Sequence, residues 1–315
     1  MLSRVADNLY WMSRYLERAE HTSRLLAVKL ETLLEQTPRE AELSWRRVAA
    51  GLSGDEHVPS AAADAFEITR ALAFDPENSS SLIASLQSAR DNARQVREQI
   101  STEMWNQLNR LYLRLAPMDL ATVWNDQPGH IFRDAVDELL MLEGITYSTM
   151  RHGEGWYFLE LGRYIERAQL LSRLLDLHFG RASRSGTAPS YLDWVVLLRF
   201  CTAFEAYCKV YTANIRRDRI AEFLLFDPEF PHSVRFAVER LTDALTRVAS
   251  GAPAQRRAAC ERLAGRLKAS VDFGQIEELM GGTIDLFLTN IMSQCEQIHE
   301  AVQAAYISYD AETVL

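Results

Sequence analysis

Long apolar runs are missing from this chain. The fullest of them, WVVLLRF at Trp194–Phe200, is far shorter than the ~20 residues that span a bilayer. The first twenty residues already carry Arg4, Asp7, Arg14, Glu17, Arg18 and Glu20, so no secretory leader is expected there. A soluble, cytoplasmic protein is the expectation. Cysteine is scarce: Cys201, Cys208, Cys260 and Cys295 are all there are, and none forms a CxxC pair. Reduced thiols packed as small apolar residues are expected in place of a disulfide framework or a zinc site. Positive charge is also in deficit. A net charge of −9 disfavours a general nucleic-acid or anionic-membrane binder, since neutralising phosphates takes a basic surface.

Several chemistries lack their residues. No G-x-x-x-x-G-K-[ST] loop is present to cradle ATP phosphates, and no GxSxG holds a nucleophilic serine. An isoprenoid synthase would need closely spaced aspartates for a magnesium diphosphate. The nearest stretch, RDAVDEL with Asp134, Asp137 and Glu138, reads as an acidic helix surface. A ferritin-like dimetal centre needs two Glu-x-x-His pairs on helices. Glu296 and His299 make one, whereas Glu229 and His232 are interrupted by Pro231. No catalytic residue, metal or cofactor is expected.

What is present is helix. With 48% hydrophobic and 24% charged residues, the chain can bury a sizeable core. Apolar positions recur at helical spacing almost throughout, and no segment alternates with period two. The spacing predicts helices over 3–36, 40–52, 60–73, 80–115, 130–151, 155–180, 190–213, 217–225, 231–249, 254–270 and 283–309. Proline and glycine concentrate between them, as at Pro38, Asp75-Pro76, Pro128-Gly129, Asp227-Pro228 and Gly281-Gly282. The most linker-like stretch, Gly180–Pro189, lies inside the second half.

One helical stretch occurs twice. RYLERAEHTSRLL at Arg14–Leu26 and RYIERAQLLSRLL at Arg163–Leu175 share nine of thirteen positions at an offset of 149. Trp45 and Trp194 keep that offset, while FDPE at Phe74–Glu77 and Phe226–Glu229 is 152 apart, followed at the same distance by Ser81 and Ser233. A period this long points to duplication of a whole helical unit rather than a solenoid. The expected fold is all-α: one merged domain over 1–315, built from pseudo-repeats 1–150 and 151–315.

On a helical wheel the repeated stretch carries an ordinary core stripe with small residues at its centre, Ala19 and Ser23 in one copy and Ala168 and Ser172 in the other. Crossing of the two motif helices there, near a pseudo-two-fold axis, is expected. The charged residues occupy the opposite side: Arg14, Glu17, Arg18 and Arg24, then Arg163, Glu166, Arg167 and Arg173, with Tyr15 and Tyr164 beside them. Apolar residues share this side, notably Tyr10 and Trp11 in the first copy and Leu159 and Leu170 in the second. A helix apolar all round is covered all round, so these charges are expected to be embedded and paired. Glu17 can reach Arg14 one turn back, and Glu166 has Arg163 and Arg173. Three arginines per glutamate leave a surplus. The carboxylates of FDPE, Asp75 and Glu77 with Asp227 and Glu229, are the internal candidates to meet it. The competing expectation is an acidic or peptidic small ligand held by arginine forks. FDPE also has a plain reading as a turn before a helix, its phenylalanine anchored in the core.

RYLERAEHTSRLL, FDPENSSSL, SARDNARQVREQISTEMWNQLN and FLLFDPEFPHSVRF together make the sequence similar to the bacterial alpha-E family over essentially the whole chain. That family is an all-helical domain named for a Glu-Arg motif, which Glu17-Arg18 fits and Glu166-Arg167 echoes. The resemblance implies genomic company with a circularly permuted ATP-grasp ligase and a transglutaminase-like protease, in a system that makes, attaches or trims a peptide-like product. It implies no catalytic residues. The expectation is a non-enzymatic helical partner of such a ligase. An amide-forming or hydrolytic enzyme using the Glu-Arg and Asp-Pro-Glu carboxylates is the alternative.

Overall fold

The computed structural model describes residues 1–32, 44–45, 64–124, 127–180, 189–248 and 254–307. Among these residues the chain is all-helical and contains no strand. In chain order the helices are α1 (Ser3–Thr32), α2 (Ala65–Ala73), α3 (Leu82–Gln95), α4 (Thr102–Leu115), the single turn α5 (Leu120–Val123), α6 (Gly129–Thr149) and α7 (Glu154–Phe179). They continue with α8 (Tyr191–Phe200), α9 (Phe204–Tyr211), α10 (Arg217–Phe226), α11 (Val234–Val248), α12 (Ala254–Asp272), the short α13 (Ile276–Glu278) and α14 (Ile284–Val302). Most of the helix expected over 40–52, and nearly all of the linker-like stretch, lie outside the described residues.

Capping explains where expected helices divide. The single helix predicted over 80–115 is two, because Ser101 turns its hydroxyl onto the Met104 N–H at 3.1 Å and starts α4 afresh after the break at Val96. The helix predicted over 190–213 breaks after Phe200, where Thr202 adopts φ 49°, left-handed backbone that ends regular helix. Before α14 the chain passes through a wide turn at Leu279–Thr283, in which Gly282 takes φ 130°, a conformation that glycine alone adopts without strain.

The chain forms two compact units. One comprises Met1–Arg14, Arg151–Trp194 and Cys201–Leu315; the other comprises Tyr15–Met150 and Val195–Phe200. In the first unit α11 packs on α7 and α12, and α14 packs on the same two helices, which closes a four-helix core. Fully buried Phe158, Leu161, Ile165, Val238, Leu241, Leu288 and Ile291 fill it. In the second unit α4 packs against both α3 and α6, while Gly129 at the head of α6 lies against Ala27 and Leu30 of α1. Leu86, Leu111 and Phe132 are fully buried there.

Both FDPE stretches form the same turn. The Asp75 carboxylate accepts the Glu77 N–H at 3.0 Å, and the Asp227 carboxylate accepts those of Glu229 at 2.9 Å and Phe230 at 2.8 Å. Ser81 then caps α3 through the Ala84 N–H at 3.2 Å, and Ser233 caps α11 through the Phe236 N–H at 3.0 Å. Phe74 packs on Phe132, and Phe226 packs on Phe287.

Candidate functional site

The site is assembled on three helices of the first unit. Tyr10 and Arg14 stand one turn apart on α1, Glu166 and Gln169 share a face of α7, and Cys295 and His299 are one turn apart on α14. Gly162 lets α1 and α7 come this close. A Cβ at that position would overlap the Ser13 hydroxyl and the Tyr10 carbonyl oxygen, and would sit 3.1 Å from the carbonyl carbon. Ser13 and Gly162 are themselves equivalent positions at the 149-residue offset of the repeated motif.

Arg14 is the centre. Its Nε donates to Glu166 Oε2 at 2.7 Å, one terminal nitrogen to the Tyr10 hydroxyl at 3.3 Å, and the other to Gln169 Oε1 at 3.0 Å. The guanidinium lies over the Trp11 ring, 4.8 Å from its centroid. Arg14 is 6% exposed and Glu166 3%, so little solvent screens the pair. Burial alone would lower the Arg14 pKa, but the Glu166 carboxylate and the Tyr10 oxygen outweigh it and hold the guanidinium charged.

Tyr10 passes the network on to His299, its hydroxyl 2.9 Å from Nδ1 and the two rings stacked with 5° between their planes. With Arg14 donating to the Tyr10 oxygen, the hydroxyl hydrogen has His299 Nδ1 as its acceptor when the neutral imidazole carries its proton on Nε2. Burial, and then the Arg14 charge, lower the His299 pKa against the opposing pull of Glu296 and Glu166. Burial likewise pushes the Cys295 thiol up to about 12 and lifts the Tyr10 phenol well above its ordinary range. Neither supplies an anionic nucleophile near neutral pH.

The other motif residues fall out as follows. Arg167 is buried, stacks on Tyr164 at 5.4 Å and donates to the Pro231 carbonyl at 3.3 Å. Arg18 stacks on half-buried Tyr15 at 5.5 Å. Arg24 and Glu20 form a buried pair one turn apart, Arg163 meets Glu160 at 3.2 Å, and Glu17 is buried. Ala19, Ser23, Ala168 and Ser172 are all fully buried.

Two expectations need correction. Arg173 is exposed; it projects away from the buried side of α7, so it is neither embedded nor a partner for Glu166. Glu166 pairs with Arg14, 152 residues earlier in the chain, a partner that its own helix does not supply. The FDPE carboxylates do not meet the arginine surplus: Asp75 and Asp227 accept N–H groups of their own turns, and Glu77 and Glu229 are exposed. Arg167 does reach the stretch after the second FDPE, but through a backbone carbonyl. Sequence reasoning misses Tyr10, Gln169, Cys295 and His299 as members. Tyr10 and Trp11 on the charged side of α1 are the signal it offers.

Chemically the arrangement is a brace. Every nitrogen of Arg14 has an internal acceptor, and its carboxylate partner holds a guanidinium. Among the described residues no group of three His, Cys, Asp or Glu side chains is placed to hold a metal ion, and no helix is long and apolar enough to cross a membrane.

The chain is similar to uncharacterised proteins of Mycobacterium bovis and Mycobacterium tuberculosis, at 26% identity over 264 residues in each. The match takes in 76% of this chain and 29% of each relative, so the chain spans under a third of the length of the curated proteins it resembles. No solved structure matches it. Residues 1–307 match Alpha-E, described as a predicted alpha-helical domain with a conserved ER motif, and the chain belongs to that family.

Proposed function

We propose that the chain is a non-enzymatic helical partner of an ATP-grasp-type peptide or amide ligase, acting in the cytoplasm in a system that makes or modifies a peptide-like product. The observation that carries the non-enzymatic half is the closure of the Arg14 network. Glu166, Tyr10 and Gln169 each accept a hydrogen from a different guanidinium nitrogen, and the Glu166 carboxylate is committed to that buried pair. A buried network partnered at every guanidinium nitrogen fixes a shape, and a fixed shape is what a docking protein presents. The ligase half rests on the family resemblance. We further propose that the two halves are duplicates of one helical unit. The paired turns and caps at Asp75/Ser81 and Asp227/Ser233, and the stacks Arg18–Tyr15 and Arg167–Tyr164, support that reading.

Co-expression of the chain with the ATP-grasp ligase encoded beside it provides the test. The two are expected to co-elute as a stoichiometric complex. Glu166→Ala, which strands a buried guanidinium, is expected to lower stability by roughly 3–5 kcal/mol and to weaken the complex, with no turnover by the isolated chain to lose. Separate elution of the two proteins overturns the partner reading. Turnover by the chain alone, abolished in a Glu166→Gln variant that melts like the parent, establishes the enzyme alternative.

A further inference from the structure

Where α3 packs on α4, guanidinium groups and aromatic rings form a ladder. Trp105 and Tyr112 stand two turns apart on α4, ~10 Å along its axis. The Arg90 guanidinium lies over both rings, 5.7 Å and 5.0 Å from their centroids, and that of Arg97 lies over Trp105 at 4.5 Å. Asn109 accepts from Arg90 Nε at 2.7 Å. Arg90, Trp105 and Tyr112 are half-buried and Arg97 is exposed, so the ladder reaches the surface. Among the described residues no carboxylate pairs with either arginine. A cation held over a ring keeps its in-plane N–H groups for acceptors. The ladder therefore steadies two forks whose terminal donors are uncommitted. The second half of the chain shows that the fold does not call for this arrangement. At the 152-residue offset, buried Leu82, Leu86, Ala89 and Leu115 correspond to buried Val234, Val238, Leu241 and Leu267, so α3 and α4 are in phase with α11 and α12. Arg90, Trp105, Asn109 and Tyr112 then correspond to Thr242, Arg257, Glu261 and Ala264. There the arginine meets a glutamate one turn along its own helix, at 3.8 Å. The first half keeps its guanidiniums without such a carboxylate and steadies them on rings instead.

We propose that the ladder holds the carboxylates of an acidic, extended peptide segment of a partner protein. Residues 82–115 carry five arginines against three acidic residues in a chain of net charge −9. An acidic segment thus finds local attraction here on a protein whose overall charge repels it. Planar forks suit carboxylates, which they engage through paired N–H bonds. Alternate side chains of an extended segment are ~7 Å apart, a spacing that brings two of them to guanidiniums sharing one ring. A small free acid is the poorer fit, because small-molecule sites enclose most of their ligand and this one lies at the surface. Single-stranded nucleic acid docks by stacking bases on aromatic faces, and guanidiniums already lie over these rings. This inference rests on neither the ligase reading nor the duplication.

Fluorescence anisotropy of a labelled hexaglutamate peptide, titrated with the full chain at low and at physiological ionic strength, tests it. Saturable binding is expected, weakened by salt. Arg97→Gln is expected to weaken it about tenfold, within what hydrogen bonds to a charged group contribute. The melting curve should stay in place, because that side chain is exposed. Arg90→Lys, which keeps the charge and loses the fork, is expected to weaken binding by a similar factor. Arg94→Gln removes an exposed arginine paired with Asp91 at 3.5 Å and is expected to change it by no more than about twofold, as a screened surface charge does. No saturable binding by the parent overturns the proposal, as does full binding by Arg90→Lys. A loss at Arg94→Gln as large as that at Arg97→Gln, the mark of attraction to charge alone, overturns it too. A labelled hexathymidylate bound more tightly than hexaglutamate overturns it in favour of nucleic acid. Free glutamate that displaces the peptide at equal concentration overturns it in favour of a small acid.

Discussion

His299 is a half-buried member of the Arg14 network, and its ionisation is tied to the interior through one hydrogen bond. A proton on Nδ1 would turn that atom into a donor facing a hydroxyl that Arg14 already donates to. The Tyr10 hydrogen would then lose its acceptor at a fully buried position. Burial lowers the His299 pKa below its ordinary 6.5, so in the window between the folded and unfolded values the unfolded chain binds more protons. Stability therefore rises with pH there. The contribution is fully present above about 6.5, the pKa of an unstrained histidine, and is lost as pH falls below it. Equilibrium unfolding at stepped pH should show the parent weakening below that point relative to His299→Asn. Parallel profiles for the two proteins would disconnect His299 from the network.

At the scale of the element, helix boundaries are largely legible in the sequence because punctuation is local. Asp-Pro, Gly-Gly and capping serines act within a turn of themselves, and the ends of α2 and α10 and the starts of α3 and α11 follow them. The divisions that periodicity does not reveal, at Val96–Ser101 and at Thr202, contain neither proline nor glycine; a serine cap and a left-handed threonine end those helices instead. The buried charge of the second motif is also legible, from apolar residues on both sides of α7. Its partner is not, since wheel positions relate a residue only to its own helix. The contact that matters joins α1 to α7 through Gly162, a residue that reads as neutral in sequence. Gly162→Ala drives a methyl into the Tyr10 carbonyl and the Ser13 hydroxyl. Overpacking of this kind typically costs about 1–3 kcal/mol, against the usual gain from replacing glycine in a helix. Chemical denaturation of this variant should show a net loss; a gain would mean that α1 is free to shift.

For the molecule as a whole, the membership of the family and the all-helical fold both stand, and the proposed duplication makes a quantitative claim about them. Ser81 and Ser233 sit at the same place in their halves and make the same bond, at 3.2 Å and 3.0 Å. Loss of such a cap costs ~0.5–2 kcal/mol. If the halves are equivalent, Ser81→Ala and Ser233→Ala should weaken α3 and α11 by similar amounts, and native-state hydrogen exchange should report each loss within its own half. A large effect at one serine and none at the other would mean that the two halves no longer share the same design.

The membership of the two units sets a timetable for synthesis. Residues 1–14 are made before residues 15–150, yet they belong with residues beyond 150. At ~5–20 residues per second, the intervening stretch takes roughly 7–27 s to make. For that interval the nascent segment 1–14, with Tyr10, Trp11 and an arginine whose carboxylate has not yet been translated, has no native place to go and is open to chaperones and proteases.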